Sequence, residues 1–240
     1  MINIFVINCA CLIHGDAYKW EYVEKLNSML SRNFSQPIAL HVFTEASRPV
    51  PDSMIKHALT DWPGVHGARK AWWYKLQMFD PANFAGQLLY FDLDVVIAGN
   101  LDWITQLPPN YFWSIRDFKY LQRPTWQGVN SSVMYWNTLR HSNVWNSFQK
   151  ANLNDVMIKY KGDQDFITAT VNKRDLRFFD EQAVQSWRWQ VHDGGQDLLT
   201  RKYRNPGVGA VISPATSIVV FHGRPKPHEV LDPYIIRHWH

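Results

Sequence analysis

The sequence is poor in cysteine, and this bears on the compartment in which we expect the protein to work. Two cysteines, Cys9 and Cys11, occur among 240 residues, and both fall near a predicted buried strand. They are poorly placed to form a disulfide with each other, so we interpret both as reduced, buried thiols. Because disulfides persist mainly in oxidising compartments, the sequence predicts a cytoplasmic protein.

Long hydrophobic runs and a secretion signal are also lacking. No apolar stretch approaches the ~20 residues that a membrane-spanning helix needs. The apolar start, residues 1–13, has no basic leading segment and no convincing cleavage site, so we assign it to the first strand rather than to a signal peptide. These features predict no transmembrane segment, and they leave a peripheral contact with a membrane open.

Lysine and arginine form no run anywhere in the chain, which disfavours a nucleic-acid partner. The net charge is +4 at pH 7 and the isoelectric point is about 9.0, but no basic stripe or nucleic-acid-binding motif accompanies this excess. A mildly basic protein suits a polyanionic ligand such as a nucleotide diphosphate. We therefore expect a small anionic ligand and no nucleic acid.

The chain does contain enough apolar sequence for one α/β domain. Hydrophobic residues make up 46% of the 240 residues, enough for one well-buried core and short for two. Strand–helix alternation in the first half predicts a mostly parallel, doubly wound sheet. Strands are predicted over residues 2–8, 38–44, 88–97, 111–115, 129–136, 208–212 and 218–221, and helices after Asp16 and over 67–79, 144–160 and 163–172.

Two carboxylates, Asp92 and Asp94, lie at the end of the most hydrophobic predicted strand. Burying an unpaired carboxylate costs several kcal/mol, so a core strand is not expected to carry two without a partner. In an extended chain, side chains two positions apart share a face. Converging carboxylates bind hard divalent cations such as Mn²⁺ or Mg²⁺. Two solvated aspartates at a strand end would give the same sequence pattern.

Three further segments carry polar groups suited to a sugar nucleotide. Gly223 allows close approach of a ligand to the backbone, and Arg224 and Lys226 offer positive charge to phosphate. The imidazole of His222 could complete a metal site. Residues Asp163, Gln164 and Asp165 open a predicted helix, and Asn130 opens a predicted strand. Each segment also fits an ordinary capped turn or helix start.

In this order along the chain, the four segments resemble glycosyltransferase family 8, the family of glycogenin and lipopolysaccharide galactosyltransferases. The family shows D-x-D after an aromatic-rich strand, then N-S-G, then D-Q-D or D-Q-G, and finally H-x-x-G-x-x-K-P. The matching residues here are Asp92 and Asp94, Asn130-Ser131-Ser132, Asp163-Gln164-Asp165 and Gly223-Arg224-Pro225-Lys226-Pro227, with Lys75 as the basic residue on the preceding helix. The match spans residues 67 to 227.

The resemblance implies a GT-A fold, a Rossmann-like, mostly parallel sheet flanked by helices in a single domain over residues 1–240. Residues 1–125 would form the nucleotide- and metal-binding half, and residues 126–240 the donor-sugar and acceptor half. The implied reaction is transfer of a sugar, with retention, from a nucleotide-sugar donor (a UDP-sugar) to a carbohydrate or glycan acceptor. The implied cofactor is Mn²⁺ or Mg²⁺.

The resemblance also assigns roles to residues. Asp92 and Asp94 would bind the metal, and Lys226 and the Gly223 amide would bind the diphosphate. Lys75, Asn130, Asp163 and Gln164 would surround the donor, with Asp163, Gln164 and Asp165 as candidate catalytic residues. Val220 stands where the family has a metal-binding histidine. His222 shares a face with that position in an extended strand, so we expect it to be the third metal ligand.

Two other functions stay open on the sequence. A nucleotidyltransferase can share this architecture and use acidic metal ligands, but the segment after the first strand, residues 8–15, is not the Gly-rich basic loop that such enzymes usually carry. A non-catalytic sugar- or nucleotide-binding module would use some of the 12 tryptophans as stacking platforms. Slow hydrolysis of a donor would separate such a module from a transferase, since many transferases pass sugar to water.

Overall fold

The structure, a computed structural model, describes residues 6–65 and 70–240. The strands are β1 (Ile7–Leu12), β2 (Ile38–Glu45), β3 (Ile55–Leu59), β4 (Gln87–Phe91), β5 (Val95–Ile97), β6 (Phe112–Arg116), β7 (Val129–Asn137), β8 (Leu176–Phe178), β9 (Val184–Ser186) and β10 (Ile218–Val220). The helices are α1 (Glu21–Asn33), α2 (Asp102–Thr105), α3 (Asn143–Gln149), α4 (Leu153–Lys159), α5 (Asp163–Thr170) and α6 (Pro233–His238). A 3₁₀ helix (Ala71–Phe79) precedes β4, and a π-helix (Trp187–Val191) follows β9.

The main sheet has seven strands in the order β3-β2-β1-β4-β7-β6-β8. The pairs β3–β2, β2–β1, β1–β4 and β6–β8 are parallel, whereas β7 runs antiparallel to both of its neighbours. The carboxyl ends of β1 to β4 therefore meet at one edge, where α/β proteins usually place their ligands. This arrangement confirms the expected mostly parallel sheet flanked by helices.

A second, three-stranded sheet has the order β5-β10-β9. Strand β5 follows β4 after a short turn, so the chain passes from one sheet directly into the other. The prediction of one continuous strand over 88–97 was wrong for this reason. Residues 92–94 lie at the junction of the two sheets.

Alternating side chains of the central strands build a core on each face of the main sheet. On β1, Cys9 and Cys11 face the cluster that contains α1, whereas Ala10 faces the cluster that contains the 3₁₀ helix. Period-two alternation explains this division, since neighbouring strand residues point to opposite faces. Both cysteines are free and fully buried, and burial raises the pKa of each thiol above its usual range.

Several helices and strands have bounds that differ from the predicted ones. Helix α1 begins at Glu21, and Asp16 does not cap it. The predicted helix over 144–160 is two helices, because Asn152 caps α4 by accepting from the backbone N–H groups of Asn154 and Asp155. The segment 208–212 is no strand and makes one isolated bridge, between Ala210 and His192. Parts of the predicted segments 2–8 and 67–79 lie outside the described residues.

The short strands β3, β8 and β9 were missed by the sequence analysis. Where the structure describes the chain, none of its helices combines the length and the apolar character that crossing a membrane requires.

Candidate active site

The two aspartates of the D-x-D segment lie in the turn between β4 and β5, at the carboxyl end of β4. The backbone N–H of Asp92 donates to the carbonyl of Ser132 at 2.7 Å, and the carbonyl of Asp94 accepts from the N–H of Phe221 at 3.2 Å. The turn is thereby tied to β7 on one side and to the end of β10 on the other. Motifs far apart in sequence meet here.

Lys75 is the centre of a buried group of charges. Its Nζ lies 2.7 Å from Oδ1 of Asp92 and 3.6 Å from Oδ2 of Asp163. Burial disfavours the charged ammonium, but Asp163 and Asp92 outweigh it and raise the pKa of Lys75. Lys75 is therefore held as a cation between two carboxylates.

Ser131 completes this group. Its hydroxyl donates to Oδ2 of Asp163 at 2.6 Å, and Lys75 Nζ donates to the same hydroxyl at 3.2 Å. Burial raises the pKa of the Asp163 carboxyl, although Lys75 and the Ser131 hydroxyl oppose the shift. Tyr90 donates to Oδ1 of Asp92 at 2.6 Å. These partners fix both carboxylates in position.

A second charged group surrounds Asp94. Lys226 bonds to Oδ2 of Asp94, and Tyr18 donates to the same oxygen at 2.8 Å. Lys226 Nζ also donates to the Tyr18 hydroxyl at 2.9 Å. Burial and the neighbouring charge of Asp92 raise the pKa of Asp94, although Lys226 and Tyr18 oppose the shift. Burial and Asp94 also raise the pKa of Tyr18, so its hydroxyl stays protonated as a donor.

The two aspartates fit a divalent cation as a pair. The contacts described above use Oδ1 of Asp92 and Oδ2 of Asp94, so the second oxygen of each carboxylate has no hydrogen-bond partner among the described residues. A cation bound there would also relieve the repulsion between them. Mg²⁺ and similar cations are often held by one or two carboxylates together with substrate phosphates and water. These two carboxylate ligands therefore suit a cation that is bound together with a diphosphate.

The side chain of His222 makes its contacts outside both charged groups. Its Nε2 is 2.6 Å from the Ser186 hydroxyl, and its ring stacks on Phe118 and meets Trp189 edge-on. Burial and the nearby Arg188 lower the pKa of His222 to about 4, so the imidazole is neutral at pH 7. Among the residues that the structure describes, no three His, Cys, Asp or Glu side chains are grouped to hold a metal. The structure thus does not bring His222 together with Asp92 and Asp94.

The loop after β10 presents the other residues of the last motif. Gly223 has φ of 78°, and the nearest neighbour of a Cβ built there is the Arg188 guanidinium at 3.9 Å, so its backbone is open to a ligand. Arg224 is largely exposed and pairs with Glu229. Glu229 also accepts from the backbone N–H of Lys226 at 2.7 Å, which holds this loop in shape.

The remaining predicted residues lie around the Lys75 group. Asn130 is buried, and its Oδ1 accepts from the backbone N–H of Ser132 at 3.0 Å. Of the first turn of α5, Asp163 is the residue that reaches Lys75, whereas Gln164 and Asp165 are half-buried next to it. The structure thus brings Lys75, Asp92, Asp94, Asp163 and Lys226 to one edge of the sheet.

The sequence analysis missed Tyr18 and gave no role to Ser131, Tyr90 or Trp72. Tyr18 precedes α1 and is 76 positions from its partner Asp94, so no local pattern indicates the contact. Ser131 stands inside the Asn-Ser-Ser segment, which was the available signal. The indole N–H of Trp72 is buried without a hydrogen-bond partner among the described residues, and a Cβ on Gly162 would lie 3.3 Å from it.

Comparison with known proteins gives a structural match without a sequence match. No protein-family profile and no curated protein sequence matches the chain. An active-site mutant of LgtC is 12% identical over 96% of this chain and 93% of its own, with a TM-score of 0.62. The galactosyltransferase LgtC bound to donor and acceptor sugar analogs is 15% identical over 92% and 89%, with a TM-score of 0.57.

Mouse xyloside xylosyltransferase 1 is also similar, at 15% identity over 92% of this chain and 98% of its own, with a TM-score of 0.55. At such low identity these likenesses show the fold. The chain has the GT-A glycosyltransferase fold, as the motifs predicted.

Proposed function

Starting from the GT-A fold, we propose that this protein is a metal-dependent glycosyltransferase that moves a sugar from a UDP-sugar to a carbohydrate or glycan acceptor, with retention. The observation that carries the proposal is the buried network of Lys75, Asp92, Asp94, Asp163 and Lys226 at the carboxyl end of β4. Buried ion pairs contribute little net stability, because desolvation offsets their attraction. A network of five charges is better explained by a charged substrate.

The leaving group of such a reaction is a nucleoside diphosphate. Lys226 is the cation next to the metal carboxylates, and the open backbone at Gly223 lies three residues before it. We propose that both bind the diphosphate, with Arg224 at the exposed edge. A divalent cation held by Asp92 and Asp94 would supply further positive charge to the departing oxygen.

The transferred sugar would lie next to Asp163. As the glycosidic C–O bond breaks, its electron pair leaves with the diphosphate, and positive charge develops on the anomeric carbon. A carboxylate fixed by Ser131 and Lys75 can stabilise that charge without reorganising. The acceptor hydroxyl forms the new C–O bond on the same face and gives its proton to the departing diphosphate oxygen. Asn130, Gln164 and Asp165 would line the sugar pocket.

The proposed division of the chain near residue 125 assigns Lys75, Asp92 and Asp94 to one half and Asp163 and Lys226 to the other. The nucleotide and metal would then contact mainly the first half, and the sugar and acceptor the second. Cytoplasmic location remains part of the proposal, and it rests on the two buried, unpaired cysteines.

Thermal unfolding with UDP tests this assignment. A ligand at ~100 times its Kd raises the free energy of unfolding by about 2.7 kcal/mol, so a specific site gives a clear shift. We expect UDP to raise Tm only when Mn²⁺ is present, and Asp94→Asn to lose the shift. The exposed Asp155→Asn is the matched control and should keep it. Equal shifts with UDP, ADP and GDP, or none, would contradict the donor assignment.

A further inference from the structure

The structure contains a groove on another side of the 3₁₀ helix that carries Lys75. It lies between the loop after β3, the end of this 3₁₀ helix and helix α3, and it encloses about 420 Å³. Ligand-binding pockets typically measure roughly 300–1,000 Å³, so the groove has room for a small-molecule ligand. None of the residues assigned above to the donor site lines it.

Aromatic rings form one wall of the groove. The rings of Trp62 and Phe148 are 4.8 Å apart, and those of Trp62 and Trp145 are 6.2 Å apart at an angle of only 19°. Tyr74 supports the wall by stacking on Trp62 at 5.3 Å. Trp62 and Trp145 are half-buried, so each keeps part of its ring open to the groove. A flat, exposed aromatic surface is suited to the C–H faces of sugar rings.

Polar side chains form another part of the groove wall. Oδ1 of Asp80 accepts from the backbone N–H of Ala82 at 3.0 Å, and Nδ2 of Asn83 donates to the carbonyl of Gln77 at 2.9 Å. These bonds fix the two side chains and use one polar atom of each. Gln149 adds an exposed amide. Carboxylate and amide groups of this kind donate to and accept from hydroxyls.

Gln77 makes this wall rigid. Its amide accepts from the backbone N–H of Thr60 at 2.9 Å and donates to the Thr60 carbonyl at 2.7 Å. The loop after β3 is thereby clamped to the 3₁₀ helix. The groove is therefore held open by the fold itself, as expected of a preformed binding site.

The charge of the groove identifies the class of ligand. Asp80 is the one charged side chain among its described lining residues, and no Lys, Arg or His occurs among them. A diphosphate is therefore disfavoured here, in contrast to the site of Lys75 and Lys226. Aromatic rings together with hydroxyl-binding groups, without positive charge, match a neutral carbohydrate.

The groove is next to the candidate active site. Tyr74, which supports the aromatic wall, directly precedes Lys75. Phe148 meets Phe166 of α5 edge-on at 5.7 Å, and α5 begins with Asp163. The groove and the charged network thus share the 3₁₀ helix, and α5, which contributes Asp163 to the network, packs against the groove residue Phe148.

We propose that this groove binds neutral sugar units of the acceptor, away from the hydroxyl that reacts, so that the acceptor is an oligosaccharide or polysaccharide. The role as an acceptor subsite rests on the proposed transferase function, whereas glycan binding in the groove does not. Trp145 is the most informative residue, because it lies at the groove and outside the charged network.

Isothermal titration of the full chain with defined glycans tests the proposal. The probes are the neutral hexasaccharides maltohexaose, cellohexaose, xylohexaose and chitohexaose, with hexagalacturonate as the acidic comparison. We expect at least one neutral hexasaccharide to bind, its disaccharide to bind more weakly, and hexagalacturonate not to bind. Trp145→Leu should weaken binding by about tenfold, close to the largest free energies measured for aromatic pairs, and Trp145→Phe should largely restore it.

The UDP shift distinguishes failure of this proposal from failure of the proposed function. Trp145→Leu should keep the Mn²⁺-dependent UDP shift, and Asp94→Asn should keep glycan binding. If no neutral hexasaccharide binds, or if Trp145→Leu binds as tightly as wild type, the groove assignment is wrong even where UDP binds. If a glycan binds through Trp145 but no nucleotide binds, the groove stands and the transferase proposal fails.

Discussion

Lys75 shows how single residues control both the stability and the chemistry of this site. It is almost fully buried, and it is the positive charge that Asp92 and Asp163 share. Removing one partner of a buried ion pair leaves an uncompensated charge, which costs far more than the pair contributes. The network is therefore sensitive to loss of its centre and tolerant of balanced changes.

We expect Lys75→Met to lower the free energy of unfolding by about 3–5 kcal/mol, because two buried carboxylates lose their counter-charge. Urea denaturation measures this change. Lys150→Met, at an exposed lysine, is the control and should unfold close to wild type. The double variant Lys75→Met with Asp163→Asn should regain part of the loss. Equal unfolding midpoints for the two single variants would contradict the buried network.

A pair of histidines lies between two neighbouring strands and makes their contribution to stability depend on pH. Nδ1 of His41 on β2 lies 2.8 Å from Nε2 of His57 on β3, and its other ring nitrogen lies 3.1 Å from Oδ1 of Asn8. Burial and the neighbouring His57 lower the pKa of His41 to about 4, and burial also lowers that of His57. Strand β3 is at the edge of the main sheet and β2 is next to it, so the pair joins the edge strand to its neighbour.

The sign of the pH dependence follows from these shifts. A histidine in the unfolded chain binds a proton near pH 6.5, whereas folded His41 does so only near pH 4. Stability contributed by the neutral pair is complete above about pH 6.5 and is lost as pH falls towards 4. Urea midpoints at pH 7.5, 6 and 5 should fall more steeply for wild type than for His41→Gln. Parallel falls would show that groups other than His41 cause the loss.

The loop after the π-helix depends on glycine for two separable reasons. Gly195 and Gly207 have nearly the same φ, 87° and 84°. A Cβ on Gly195 would overlap the carbonyl oxygen of Trp189, whereas a Cβ on Gly207 meets nothing within 4 Å. The first glycine is required by close packing against the π-helix, and the second by backbone conformation alone.

Alanine at these two positions therefore forms a matched pair. Gly207→Ala should cost about 1–2 kcal/mol, the cost of a left-handed backbone with a Cβ. Gly195→Ala should cost about 3 kcal/mol or more, because the backbone must also move away from Trp189. Thermal unfolding of both variants measures the difference. If both variants lose the same stability, the close contact with the π-helix is wrong.

At the scale of the whole molecule, the sequence predicted the architecture better than its details. Alternation of strands and helices was enough for a parallel sheet, because β1, β2 and β4 are buried and apolar. Strand β3 was missed because most of its residues are exposed, as suits an edge strand. The break at residues 92–94 was missed because the apolar run continues into β5, which belongs to another sheet.

In the candidate site, too, the sequence predicted some features and missed others. The motifs named Lys75, Asp92, Asp94, Asp163 and Lys226, which the fold brings together, and their roles remain predictions. Contacts such as Tyr18 with Asp94 depend on tertiary structure and leave no local pattern. His222 was expected at the metal from the family motif, shifted by two positions along a strand, but its ring packs against Phe118 and Trp189 and bonds to Ser186.

The central claim, metal-dependent sugar transfer from UDP, is tested most directly by release of UDP from UDP-glucose and UDP-galactose, with water or a glycan as acceptor. The account predicts release that requires Mn²⁺ or Mg²⁺ and stops with a chelator. It also predicts a loss of at least ~10²-fold in Asp94→Asn, as when a group that stabilises transition-state charge is removed, and none in Asp155→Asn. Turnover of Asp94→Asn within a few-fold of wild type would contradict the metal site, and no release from either donor would contradict the assignment of the reaction.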